Sequence, residues 1–343
     1  MKLSDYYFNL PEALIAQKPA EKRAGSRLLR VDRMSDSFSD HLFEKLPDLL
    51  CVGDLLVLNN TKVFPARLLG ISETGANIEV FLVKKISTNE WQALARPGRR
   101  LRVGKRVVFG EGLSATVTAK LAAGMIKLVF ESDGKIDDLI DVFGRTPLPP
   151  YIKRDNESLD TDRERYQTVY AKNRGAIAAP TAGLHFTPDI LRLIRHKGID
   201  LVEVTLHVGY GTFEPIRSAD LTDHRVMPEQ FEIVEEAARA MNRAKNDGRR
   251  IVAVGTTTTR ALESNFARNG CFAAEAADAE LTITPGYRFN AVDALLTNFH
   301  LPRSSLLVLT SVFGGHELIM NAYRHAVAER YRFYSYGDCM LIV

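Results

Sequence analysis

The chain has 343 residues, 45% of them hydrophobic and 25% charged, which is globular material long enough for two domains. A formal net charge of +3 is too small to demand a polyanionic partner, so any nucleic-acid site must come from local clustering. There is no signal-peptide pattern at Met1–Tyr7, no apolar run near the roughly 18 residues of a membrane span, no HExxH and no CxxC among Cys51, Cys271 and Cys339; the sequence therefore predicts a cytoplasmic protein with reduced thiols and no metal site.

Pro11 suits a first helical turn, and a short helix is predicted through Leu14, Ile15 and Gln17, before a basic stretch from Lys18 to Arg27. From about Leu55 to Phe130 short β-rich runs alternate with turn signals. The runs are Leu55–Leu58, Ile78–Val83, Arg106–Phe109, Leu113–Ala119 and Met125–Phe130. That spacing predicts a small barrel or sandwich rather than βαβ units. Within it Arg96, Arg99, Arg100, Arg102, Lys105 and Arg106 place six cations in eleven residues, a pattern suited to a phosphate backbone or to a solvated hairpin.

After Pro147, Pro149 and Pro150 the period becomes α/β. Thr187 caps a helix opened by Pro188 and ended by Gly198, and Ile199–Val208 reads as a strand with Val202, Val204, Leu206 and Val208 on one face and His207 on the other. A helix is predicted over Glu235–Asn246, a buried strand over Ile251–Val254 and a helix from Thr259. Two more helices begin near Ser305 and Glu317, and a strand closes the chain at Met340–Val343. The predicted fold class is α/β: a mostly parallel sheet domain covered by helices (residues 1–62 and 147–343) with an inserted small β-barrel domain (63–146).

Four segments of the α/β part carry chemistry. Gly255, Thr256, Thr257, Thr258, Thr259 and Arg260 follow a strand and open a helix, which suits an anion, although neither a Walker A loop nor GxGxxG is present. The other three are loops bearing His185, His207 and His300, each beside small residues or just past a strand end, where open α/β sheets place their ligand crevice. The histidine spacing lacks the short intervals of helix-borne zinc ligands, so they read as acid, base or binding groups.

These segments, with Tyr6–Pro11, Leu14–Pro19, Ser26–Leu29, Gly53–Val63, Ala179–Phe186, Leu206–Phe213, Val254–Ser264, Asn298–Leu306 and Tyr331–Ile342, resemble the S-adenosylmethionine:tRNA ribosyltransferase-isomerases of queuosine biosynthesis, in order and over nearly the whole length. One stretch departs: where that family carries His-x-Met-His-Ser-Glu, this chain has His224-Arg225-Val226-Met227-Pro228-Glu229. The resemblance implies transfer of the ribosyl group of S-adenosylmethionine to the aminomethyl arm of a deazaguanine at the tRNA wobble position. The sugar rearranges to give epoxyqueuosine, and adenine and methionine leave. The sulfonium makes the neighbouring ribose C–H acidic enough for a general base, and adenine leaves more easily when a ring nitrogen is protonated.

On this reading His185, His207 and His300 carry the proton traffic. The Gly255–Thr259 loop and Arg260 hold the methionine carboxylate or a tRNA phosphate, and Glu214 partners the sulfonium or the substrate amine. S-adenosylmethionine is a co-substrate, no prosthetic group or metal is needed, tRNA docks through its anticodon arm, and the chain is a monomer. The rivals are an S-adenosylmethionine-dependent tRNA methyltransferase, whose usual Gly-rich loop after the first strand is missing, and a non-catalytic tRNA-binding protein, which has no need of the histidine loops.

Overall fold

The computed structural model describes residues 2–98, 101–153, 159–209, 216 and 221–343. In chain order, β1 (Arg27–Asp32) and β2 (Ser37–Leu42) form a hairpin, α1 (Leu46–Leu49) follows, and β3 (Leu55–Asn59) leads into β4 (Thr61–Val63). The next strands are β5 (Arg67–Ser72), β6 (Asn77–Lys85), β7 (Glu90–Arg96), β8 (Arg106–Gly110), β9 (Leu113–Lys120) and β10 (Ile126–Ser132). After α2 (Ile136–Phe143), β11 (Gly144–Arg145), α3 (Leu159–Arg165) and β12 (Asn173–Ala176) the chain alternates again. Helix α4 (Pro188–His196) precedes β13 (Asp200–Leu206), β14 (Glu229–Ile233) and α5 (Glu235–Asn246). Then come β15 (Ile251–Val254), α6 (Thr256–Asn269), β16 (Glu275–Ala279), β17 (Ala294–Asn298), α7 (Ser305–Gly314), α8 (His316–Ala328) and β18 (Cys339–Ile342).

Nine strands make one sheet in the order β16-β14-β13-β3-β15-β17-β18-β1-β2. Its centre, β13, β3, β15 and β17, is parallel, while β14, β16 and β2 are antiparallel to their neighbours at the margins. Parallel strands need both faces covered, and the sequence supplies apolar residues at every position of β3 up to Leu58. Leu55 and Val57 pack with α5 to α8, whereas Leu56 and Leu58 pack with α1 and α4. Side-chain hydroxyls fix two helix starts: the Ile190 N–H donates to Thr187 Oγ1 at 3.2 Å, and the Leu307 N–H donates to Ser304 Oγ at 3.2 Å.

Strands β5 to β10 close into a six-stranded barrel, since β5 pairs with both β6 and β8, with β11 added beside β5. Alternate residues such as Val80, Leu82, Trp91, Ala93, Val117 and Leu128 fill its interior.

Several predicted elements shift. The helix from Pro11 is one 3-10 turn, Glu12–Leu14, because Ile15 bridges to Phe333 and the Ala16 N–H donates to the Phe333 carbonyl at 3.1 Å. The helix predicted from Thr259 starts at Thr256, one turn earlier. The hairpin β1–β2 and the strands β7, β14 and β16 had no counterpart among the predicted runs.

Candidate active site

Strand β3 has β13 on one side and β15 on the other, although both follow it in the chain, so a crevice opens where the strand order reverses. The strand ends there build a small cleft, walled by Ala179–Ala182, Val208, Gly255–Thr257, Thr297–His300, Leu306 and Tyr334–Ser335.

One wall is the start of α6. Gly255 turns with φ +97°, a conformation that only glycine adopts without strain, and its N–H donates to the Leu296 carbonyl at 2.8 Å. The hydroxyls of Thr258 and Thr259 donate back to the carbonyls of Val254 and Gly255, at 2.7 and 3.1 Å. These bonds let a threonine run begin a helix, and they withdraw two of the four predicted hydroxyls from any ligand. Thr256 and Thr257 face the cleft, where the first-turn N–H groups and the positive end of the helix dipole favour an anion.

Beside it, the end of the neighbouring strand β17 also lines the cleft. His300 is buried, its Nε2 lies 3.0 Å from Thr297 Oγ1, and its N–H donates to the Tyr323 hydroxyl at 3.0 Å. Burial pushes this imidazole down to about 3, so it is neutral near pH 7 and resists protonation. Asn298, 2% exposed, donates from Nδ2 to the Tyr334 carbonyl at 2.9 Å, and its side chain also interacts with the buried His185 imidazole. Tyr334 holds a left-handed φ of +75°, a strained backbone that its N–H bond to the Phe299 carbonyl and its place against Tyr151 maintain.

The three predicted histidines do not share one surface. His185 ends the 3-10 turn Thr181–His185 behind the cleft, with Nδ1 2.9 Å from Ser26 Oγ and Phe43 beside its ring. Burial pushes it down to about 4; Asp338 and Asn298 oppose the shift, and Arg332 and Arg23 add to it. His207 leaves β13 on the face away from Val204, Leu206 and Val208. It places Nδ1 2.8 Å from Thr61 Oγ1 and packs on Gly175, where an added Cβ would come within 2.4 Å of the ring. Its pKa is lowered by burial against the pull of Glu232. Of the three, His300 alone is among the residues that wall the cleft.

Arg260 is relocated. It is 3% exposed and committed to Glu229 at 2.6 Å and to the carbonyls of Leu281, Met227 and Ala279. A guanidinium so bound, one turn into α6 and pointing at β14, is not placed to receive a ligand carboxylate. Glu229 also accepts the Gly209 N–H at 3.1 Å, so this buried pair ties α6 to the end of β13. It closes the departing segment from His224, whose Met227 and Pro228 are exposed.

Glu214, Arg99 and Arg100 lie outside the described residues. In the basic segment Lys105 pairs with Glu73 and Arg106 with Glu131, both at 3.1 Å, while Arg96 and Arg102 are exposed on the barrel. Sequence reasoning assigned no role to Asn298, Thr297, Tyr334 or Tyr323. The signal was the segment Thr297–His300, read only for its histidine. Among the described residues no group of His, Cys, Asp and Glu is arranged to hold a metal, and no helix is long and apolar enough to cross a membrane.

A cleft lined by a neutral buried imidazole and a helix start, beyond the ends of parallel strands, is an enzyme's site on an α/β frame. A model of the queuosine biosynthesis protein family matches residues 3–342. The S-adenosylmethionine:tRNA ribosyltransferase-isomerase of Carboxydothermus hydrogenoformans is 48% identical over 344 residues, with 100% of both chains covered. The enzyme of that name from Syntrophotalea carbinolica is 48% identical over 345 residues, again with 100% of both covered. The crystal structure of S-adenosylmethionine tRNA ribosyltransferase from Thermotoga maritima is similar with a TM-score of 0.55 and 36% identity, covering 99% of this chain and 100% of that one. The chain belongs to the queuosine biosynthesis protein family.

Proposed function

We propose that this chain transfers and isomerises the ribosyl group of S-adenosylmethionine onto 7-aminomethyl-7-deazaguanine in tRNA, giving epoxyqueuosine-tRNA with release of adenine and methionine. The observation that carries the reading is the cleft whose walls include both His300 and the start of α6. The methionine carboxylate lies at the N–H groups and hydroxyls of Thr256 and Thr257. The ribose and its sulfonium then extend towards His300. His300 serves as the base that takes the acidified ribose proton, a role that requires bound substrate to raise its pKa from about 3. His185 and His207 act from behind the walls, through Ser26 and Asn298 on one side and Thr61 on the other.

The tRNA partner docks by its anticodon arm, with the barrel segment that includes Arg96 and Arg102 against the phosphate backbone. The protein works as a cytoplasmic monomer. Single-turnover ribosyl transfer with His300→Ala, His185→Ala and His207→Ala tests the assignment. His300→Ala should lose at least about 10²-fold in rate, the lower range for one positioned proton-transfer group. Near-wild-type rates in all three variants would remove the cleft from the chemistry.

A further inference from the structure

We infer that Thr297 is a positioning residue for the reaction: its hydroxyl accepts the Nε2–H of His300, which fixes the tautomer and leaves Nδ1 to meet the ribose of S-adenosylmethionine. The inference rests on the reading of His300 as the base, and adds which nitrogen works and what holds it there.

The two ring nitrogens of His300 have different surroundings. Nε2 lies 3.0 Å from Thr297 Oγ1, a contact between residues that are 5% and 2% exposed. Nδ1 has no hydrogen-bond partner among the described residues and is not enclosed, and His300 belongs to the cleft wall. Nδ1 is thus the nitrogen that a ligand reaches.

A neutral imidazole carries its proton on one nitrogen and a lone pair on the other, so two arrangements satisfy the 3.0 Å contact. If Thr297 donates, Nδ1 holds the proton and offers the cleft a donor, which cannot take a proton from ribose. If Thr297 accepts, Nε2 holds the proton and Nδ1 presents its lone pair. Only the second arrangement makes His300 a base. A hydroxyl permits it, because its own hydrogen can rotate towards the cleft that Thr297 also lines.

Rigid surroundings make this hydroxyl an effective guide. Thr297 pairs with Met340 of β18, so the sheet sets its backbone, and its branched side chain has few rotamers to choose from. Three residues on, the His300 N–H donates to the hydroxyl of Tyr323 at 3.0 Å. Tyr323 is fully buried and meets the rings of Phe8 and Phe299 edge-on, with centroids 5.2 and 5.3 Å away. The histidine is therefore held at its backbone and at its ring, which is the pre-orientation that proton transfer needs.

The test uses the full-length enzyme with Thr297→Val, which removes the hydroxyl and keeps the branched shape, and Thr297→Ser, which keeps the hydroxyl. With Nε2 left without an acceptor, the proton moves to Nδ1 in the valine variant. Its kcat should fall about 10- to 100-fold, with KM for S-adenosylmethionine within about twofold of wild type. Thr297→Ser should recover most of the rate, which a requirement for shape alone would not give. Nitrogen NMR of histidine-labelled protein reads the tautomer without substrate, the His300 signals being those absent from His300→Gln. Wild type should show a protonated Nε2 and a bare Nδ1, and Thr297→Val the reverse; the wild-type spectrum decides the matter if the valine variant does not fold. A proton on Nδ1 in wild type, a kcat within about twofold of wild type in Thr297→Val, or no recovery in Thr297→Ser overturns the inference. A wild-type rate in His300→Ala is a separate failure, since it removes the base itself.

Discussion

Acidification from about pH 7.5 to about pH 5 should destabilise this protein through two identifiable groups, His185 and His300. Both are neutral in the folded state because burial holds their pKa values at about 4 and about 3, against 6.5 for a free imidazole. The unfolded chain takes up protons below about pH 6.5 while the folded chain does not. Stability is therefore complete above that value and falls as the pH drops towards 4 for His185 and 3 for His300. By about pH 5 roughly 1.5 units of each difference are realised, at about 1.4 kcal/mol per unit, so each histidine removes about 2 kcal/mol. Urea unfolding at the two pH values measures the loss. His300→Gln keeps a group opposite Thr297 and abolishes the titration, so its loss should be smaller than that of wild type by about 2 kcal/mol. His185→Asn, which keeps a partner for Ser26, should do the same, and the double variant should show both effects. Equal pH dependence in wild type and His300→Gln would refute the reasoning, because it would mean that the imidazole titrates normally where it sits.

Gly175→Ala would press a Cβ to within 2.4 Å of His207, so it should cost about 1–3 kcal/mol of stability and displace the ring from Thr61. Combining it with His207→Ala should recover most of that loss, and additive losses in urea unfolding would show that the steric clash is not the cause. Glu229→Gln leaves the Arg260 guanidinium buried without its carboxylate and should cost about 3–5 kcal/mol. A loss below about 1 kcal/mol by the same measurement would show that the pair is not the clamp between α6 and β13. Neutralising Arg96 and Arg102 together should weaken tRNA binding and lower the slope of log affinity against log salt by about one for each phosphate no longer neutralised. An unchanged slope places the tRNA on another surface.

The strands of the sheet centre were legible because β3 and β15 are short, almost wholly apolar runs, which is what burial on both faces requires. The barrel was legible from turn signals at regular spacing, but β7 was not, since its inward Ala93 and partly buried Ala95 carry little β signal. Strands β14 and β16 hid for a related reason: Glu-Gln-Phe-Glu-Ile and Glu-Ala-Ala-Asp-Ala read as polar or helical until β13 provides a sheet edge. Pro11 opened a helix by local rules, and pairing with Phe333, more than three hundred residues away, cut it to one turn.

The site was legible where chemistry follows position, as with the strand-end loops that carry His300 and Gly255. It was illegible where a distant partner decides the role. Arg260 adjoins the threonine loop in sequence, but Glu229 claims it across the sheet. Asn298 does not titrate, and its amide is held by Tyr334 and His185, both distant in the chain.

The proposed reaction is tested most directly by product analysis after the purified protein is incubated with S-adenosylmethionine and tRNA carrying the aminomethyl-deazaguanine base. Adenine and methionine should be released in equal amounts, with a matching mass gain on the tRNA base and loss of all three in His300→Ala. S-adenosylhomocysteine with a methylated tRNA, or tight tRNA binding without turnover, would contradict the ribosyl transfer.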